Sequence, residues 1–201
     1  MKFKLSSLKT IVLTTAINST RLSKLNDTLG DKLNLTTYYG KIIPGYLGCA
    51  LSTVELYKTL NPPVLVLEDD CGITAHYNDN IDVPDNADAV YLGTSSWGAR
   101  NGISEWANSE LIPYNDNFYK LNGMTSAHAI LFLNSNFLNH LNKIGESYNE
   151  ESPMPFDYLI AQEQHKFNVY GVAEPLFFQK DSGNENVTLF SLNNLYKHQH
   201  P

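Results

Sequence analysis

Charge is scarce in this chain of 201 residues: Asp, Glu, Lys and Arg together make up 17%, against about a quarter in an average soluble domain. Arginine is almost absent, with only Arg21 and Arg100. The scarcity does not mean disorder, because aromatics reach 11% and apolar runs recur throughout, enough to build a core. The only cysteines are Cys49 and Cys71. They exclude a disulfide framework and match no zinc-finger spacing, so the expectation is two free, buried thiols in a reducing compartment. No run approaches the roughly 20 apolar residues that span a bilayer. The Met1–Lys9 segment is basic but has no apolar stretch of signal-peptide length, so the chain is expected to be soluble and cytoplasmic. Basic surface is also lacking. The formal net charge is −7, which disfavours nucleic acid and anionic lipid as partners unless basic residues such as Lys41, Arg100 and Lys120 gather around one cleft.

What is present is an alternation of strand and helix signals in a chain sized for one domain. Thr10–Thr15 reads as a buried β-branched strand, followed by a helix from Ser19 or Thr20 carrying Leu22, Leu25 and Leu29 up to Gly30. Leu35–Tyr39 is a second strand. Leu47, Leu51, Val54 and Tyr57 mark a helix that Pro62-Pro63 terminates. Val64–Leu67 is apolar throughout, as expected of a strand covered on both faces. Further strands are predicted at 87–92, at 117–121 as a sheet edge, at 127–133 and at 169–172. Helices are predicted around Phe137–Ile144 and over 156–166, with a loop from Gly93 to Gly102. The pattern predicts an α/β fold: a Rossmann-like, largely parallel mixed sheet flanked by helices, within one domain over residues 1–181. A polar tail of uncertain order follows over 182–201.

Ligands on such sheets bind beyond the carboxyl ends of the strands, and there the Val64–Leu67 run ends in Glu68-Asp69-Asp70. Three adjacent carboxylates repel one another, and a divalent cation removes that penalty. In extended backbone Glu68 and Asp70 share a side and Asp69 points opposite. Hard oxygen donors of this kind suit Mg²⁺ or Mn²⁺. Capping of the next helix, or a solvated turn, is the competing reading.

Leu47-Gly48-Cys49-Ala50-Leu51-Ser52, the helix it opens, and Val64–Asp70 resemble the signature of glycosyltransferase family 25, which includes lipooligosaccharide and collagen galactosyltransferases. Arg21 after the first strand, Pro155-Phe156-Asp157-Tyr158 and Val169–Gln179 are similar to other parts of that family. The departure is Thr53, which stands where the family has His. The resemblance implies a GT-A-like domain and a metal-dependent transfer of a sugar from a nucleoside-diphosphate sugar, a UDP-sugar first, to a hydroxyl acceptor, with inversion. It implies Asp70 and Glu68 as metal ligands. The candidate donor-binding set is Thr14, Thr15, Arg21, Glu68, Asp69 and Arg100; the two arginines lie beside predicted strand ends, and a guanidinium pairs with a diphosphate. Asp157 becomes the candidate general base, with Glu163 and Glu174 as substitutes.

Each residue has a plainer alternative. Arg21 and Arg100 can be surface ion pairs, Asp157 a helix N-cap, His128 a core histidine, and Trp97 and Trp106 packing residues rather than stacking platforms. His198 and His200 can belong to a disordered end rather than supply a third metal ligand. The acceptor stays open among a glycan, a lipid-linked sugar, a protein side chain and a hydroxymethylated DNA base. Two other functions also stay open. One is a non-catalytic nucleotide- or carbohydrate-binding relative. The other is a metal-dependent nucleotidyltransferase or phosphohydrolase, which the glycine-free Thr14–Asn18 segment after the first strand disfavours.

Overall fold

The computed structural model describes residues 1–43, 45–94, 109–152, 154–180 and 191–199. In chain order they form β1 (Lys2–Lys4), β2 (Lys9–Thr14), α1 (Ser19–Leu29), β3 (Asn34–Tyr39), α2 (Tyr46–Tyr57), β4 (Val64–Glu68), β5 (Cys71–Ile73), β6 (Asn80–Asp82), β7 (Ala89–Tyr91), β8 (Glu110–Asn115), β9 (Phe118–Asn122) and β10 (Ala129–Phe132). Then come α3 (Ser135–Gly145), α4 (Phe156–Glu163), β11 (Val169–Val172), β12 (Phe177–Gln179) and α5 (Leu192–Gln199). Eight strands make one sheet in the order β3-β2-β4-β10-β7-β11-β9-β8, and β1–β6 and β5–β12 form two small ribbons. The fold is α/β, with a large mixed sheet flanked by helices.

The two-residue period of a strand divides the core into two layers. Ile11, Val64, Val66, Tyr91, Ile130 and Phe132 face one side, where they meet Val54 and Leu56 of α2, Phe137 and Leu141 of α3, Phe156 of α4 and Leu192 of α5. Val12, Leu65, Leu67, Val90, Ala129 and Leu131 face the other, against Leu25 and Leu29 of α1 and the ribbon residues Cys71, Ile81 and Phe177. Tyr57 anchors the first layer. Its ring meets Phe132 edge-on at 5.1 Å and Phe156 at 6.4 Å, contacts worth about 0.5–1.5 kcal/mol each beyond simple burial.

The sheet is less parallel than the sequence pattern predicts. β2–β3, β2–β4 and β7–β11 run parallel, but β10 lies antiparallel between β4 and β7, and β9 and β8 are antiparallel too. An apolar run covered on both faces carries no record of strand direction, which is why the pattern misleads here. The predicted edge at 117–121 is also displaced. β9 lies inside the sheet, and the edge is β8, whose Pro113 suits a border strand. The last residues of the predicted tail form α5, with Leu192 fully buried. No helix among the described residues is long and apolar enough to cross a membrane.

Candidate functional site

β2 and β4 run side by side and in parallel, so their carboxyl ends open at the same edge of the sheet. A cleft forms there in two lobes. The lobe of about 430 Å³ beside β2 is walled by Thr14, Thr15, Asn18, Lys41, Gly45 and Ser52. The lobe of about 470 Å³ beside α4 is walled by Tyr46, Thr53, Thr125, Ser126, Asp157 and Tyr158. Arg21, Cys49, Glu68, Asp70 and Gln179 line both and form the partition between them. Two glycines shape the opening. Gly45 begins α2 at φ 75°, a left-handed conformation that favours glycine. A Cβ on Gly48 would stand 2.1 Å from the Ile43 carbonyl oxygen, so only glycine lets the preceding loop lie against the helix.

β4 ends at Glu68, and Asp69 and Asp70 lie in the turn after it, so all three line the β2 lobe but take different partners. Asp69 turns towards β2, is buried, and takes the Thr14 hydroxyl at 2.5 Å and Arg21 at 3.5 Å. Glu68 and Asp70 turn together towards β12, where the single Nε2 of Gln179 donates to Glu68 Oε2 at 2.9 Å and Asp70 Oδ2 at 3.3 Å. Arg21 Nη1 also lies 4.0 Å from Asp70. Asp70 Oδ1 is buried and has no hydrogen-bond partner among the described residues.

The electrostatics follow from this crowding. Burial, then the charges of Asp70, Asp157 and Asp69, push Glu68 up to about 8, with Arg21 opposing. Burial and Asp69 push Asp70 up to about 6, against Arg21 and the Gln179 hydrogen bond. Asp157 is also raised by burial, partly offset by the backbone N–H groups of Tyr158 and its own residue. It is not the cap of its helix, because Pro155 holds that position and Asp157 sits inside the first turn. Cys49 is exposed rather than buried as expected. Desolvation by the cleft walls and the neighbouring carboxylates push its thiol up to about 12.

Two carboxylate oxygens directed at one nitrogen, with a further buried oxygen unpartnered, fit a hard divalent cation. No three His, Cys, Asp or Glu side chains among the described residues group as a complete protein cage. Mg²⁺-type ions need none, since one or two carboxylates plus phosphate oxygens and water complete their shell.

The other sequence candidates fall elsewhere. Arg100, Trp97, Trp106 and His200 lie outside the described residues, as does the side chain of His198. Glu163 pairs with His140 and Lys166, and Glu174 takes Ser191 and Asn193; neither lines the cleft. Lys41 reaches one lobe but is paired to Glu55 at 2.9 Å, and Lys120 lies on β9 beside Asn168, so these two do not gather into a basic groove. His128 is fully buried, and burial lowers it to about 4, with the Phe177 carbonyl partly opposing.

Sequence reasoning passed over Gln179, Cys49, Ser126 and Tyr46. Cys49 and Gln179 lie inside segments that carry the family resemblance, but neither was given a role there. Ser126, at φ 118°, is the one non-glycine residue with positive φ among those described, a conformation often held at functional sites. Comparison of the sequence with protein-family models and with curated proteins returns no match.

Proposed function

We propose that the chain is a GT-A-like, metal-dependent glycosyltransferase that moves a sugar from a nucleoside-diphosphate sugar to a hydroxyl acceptor with inversion. The observation that carries this reading is the partition: Glu68, Asp70 and Arg21 stand between two lobes of similar size, as a reaction joining two substrates at one charged centre requires. The donor lies in the β2 lobe, with Arg21 placed to meet its diphosphate by paired N–H donors. Thr14 and Asp69 hold that guanidinium side in place through their own hydrogen bond. The acceptor lies in the α4 lobe, where Asp157 takes the proton of the attacking hydroxyl. Its raised pKa brings it closer to the operating pH, as a general base needs. Glu68 and Asp70 would hold a divalent cation, which would supply positive charge for the departing diphosphate.

The test is release of nucleoside diphosphate from a panel of sugar nucleotides with Mn²⁺, Mg²⁺ or EDTA, for wild type and Asp70→Asn. Turnover should require the cation and fall by about 100-fold or more in the variant. No turnover, with no nucleotide-dependent rise in melting temperature, would overturn the donor site. Release of nucleoside monophosphate and sugar 1-phosphate instead would assign a phosphohydrolase that cleaves the diphosphate.

A further inference from the structure

We propose that Gln179 is a third, neutral oxygen ligand of the divalent cation, reached by rotation of its side-chain amide. The inference rests on the reading of Glu68 and Asp70 as the metal-binding pair and assigns a role to a residue outside it.

The starting point is the geometry of one nitrogen. Gln179 Nε2 donates to Glu68 Oε2 and to Asp70 Oδ2, at 2.9 and 3.3 Å. Two carboxyl oxygens from different residues converge on one amide group that carries only partial positive charge, with Arg21 Nη1 4.0 Å from the Asp70 oxygen. The amide meets the directional demand of both oxygens and little of their electrostatic demand.

The backbone of Gln179 has little freedom to be elsewhere. It pairs with Cys71 in the β5–β12 ribbon, one residue beyond Asp70, and the next N–H, of Lys180, donates to the Asp70 carbonyl at 3.0 Å. Gln179 is thereby tied to the acidic segment on both sides of its own Cα, and only its side-chain torsions remain free. The last of these is a broad, two-fold torsion, so exchanging the amide oxygen and nitrogen costs little by itself.

The surroundings decide which end faces inward. Without the ion the NH₂ group faces the two carboxyl groups, since the carbonyl oxygen would be repelled by whichever of them is ionised. With a cation between the carboxylates the preference reverses: an N–H directed at the ion is repelled, and Oε1 is a hard donor of the kind Mg²⁺ and Mn²⁺ take. One side chain therefore occupies the site without the ion and ligates the ion when it arrives. A neutral third donor adds no charge to a pair of carboxylates that already repel each other. Asp70 Oδ1, buried and unpartnered among the described residues, leaves a further oxygen for the ion or for its water.

The experiment is Mn²⁺ binding followed by the electron paramagnetic resonance of free Mn²⁺, with MnCl₂ alone and with added UDP. Wild type, Gln179→Ala, Gln179→Glu and Asp70→Asn are compared, with folding checked by circular dichroism. A ligand role predicts that Q179A weakens Mn²⁺ binding by about 10-fold or more while Q179E, which always presents an oxygen, retains or tightens it. If Gln179 merely fills the space, Q179A binds Mn²⁺ as well as wild type or better, and the inference fails while the carboxylate pair stands. If wild type takes up no Mn²⁺ in either condition, the metal reading itself fails and takes this role with it. Should Q179A unfold, Q179E decides alone: weaker binding than wild type overturns the role.

Discussion

Cys49 combines an exposed position with cleft walls and carboxylates that raise its thiol pKa. It is accessible from both lobes, yet desolvation and the carboxylates beside it hold the thiol protonated up to about 12. Since the thiolate is the nucleophile, iodoacetamide should label Cys49 far more slowly at pH 7 than a free cysteine does, and faster as the pH rises. Cys71 is buried and should stay unlabelled in the folded protein. A sugar nucleotide in the β2 lobe should protect Cys49; labelling indifferent to every nucleotide would count against donor binding there. The residue scale also marks where sequence reading reaches its limit. Glu68, Asp69 and Asp70 are legible because they are adjacent and follow an apolar strand. Gln179 is not, because it meets Glu68 across 111 positions of chain and the resemblance of Val169–Gln179 gives this residue no role.

Among the elements, strands and helices with a strong period could be located from sequence, while their directions and neighbours could not. β2, β4, β10, α2 and α3 lie where apolar spacing puts them. The antiparallel course of β10 and the internal position of β9 depend on pairings between distant segments, which an apolar run does not encode. The short ribbons β1–β6 and β5–β12 lack the length for a period at all. α5 is the instructive case. Its composition is polar, but Leu192 is fully buried and packs so closely that a Cβ on Gly171 would stand 2.7 Å from Leu192 Cδ1. Tyr196 adds a ring contact to Tyr119 at 5.3 Å. Leu192→Ala should therefore cost about 2–4 kcal/mol in urea unfolding, read as a lower midpoint at unchanged slope. A loss below about 1 kcal/mol would mean that α5 adds little to the fold.

For the whole molecule, the acidic cleft makes stability depend on pH and on cations. Glu68 carries a raised pKa, so the folded protein holds a proton that the unfolded chain, near 4.5, has already released. Stability from that proton is complete below about pH 4.5 and is lost as pH rises through about 8. Asp70 acts in the same sense up to about 6. His128 acts oppositely: it is buried neutral, so acid destabilises the fold between about 6.5 and 4. Between about 6.5 and 8 the contributions of Asp70 and His128 have run their course and that of Glu68 is still being lost. There the cation-free protein should lose about 2 kcal/mol, or about 4–8 °C in melting temperature. Glu68→Gln should flatten the slope, and millimolar Mn²⁺ should remove it. A flat wild-type profile in EDTA would show that Glu68 ionises freely.

The ribbon that seats Gln179 also sets an order of assembly. Glu68 and Asp70 leave the ribosome with their strand, but the chain that supplies the amide is 111 and 109 residues further on. At about 5–20 residues per second it emerges roughly 5–20 s later. Through that interval the acidic segment has no β12 beside it, and the wall joining the two lobes is incomplete. The core strands β2, β3 and β4 come from the first third of the chain and can pair early, whereas a contact spanning half the protein closes late. A nascent chain ending before β12 already holds all eight strands of the main sheet but lacks the amide that meets Glu68 and Asp70.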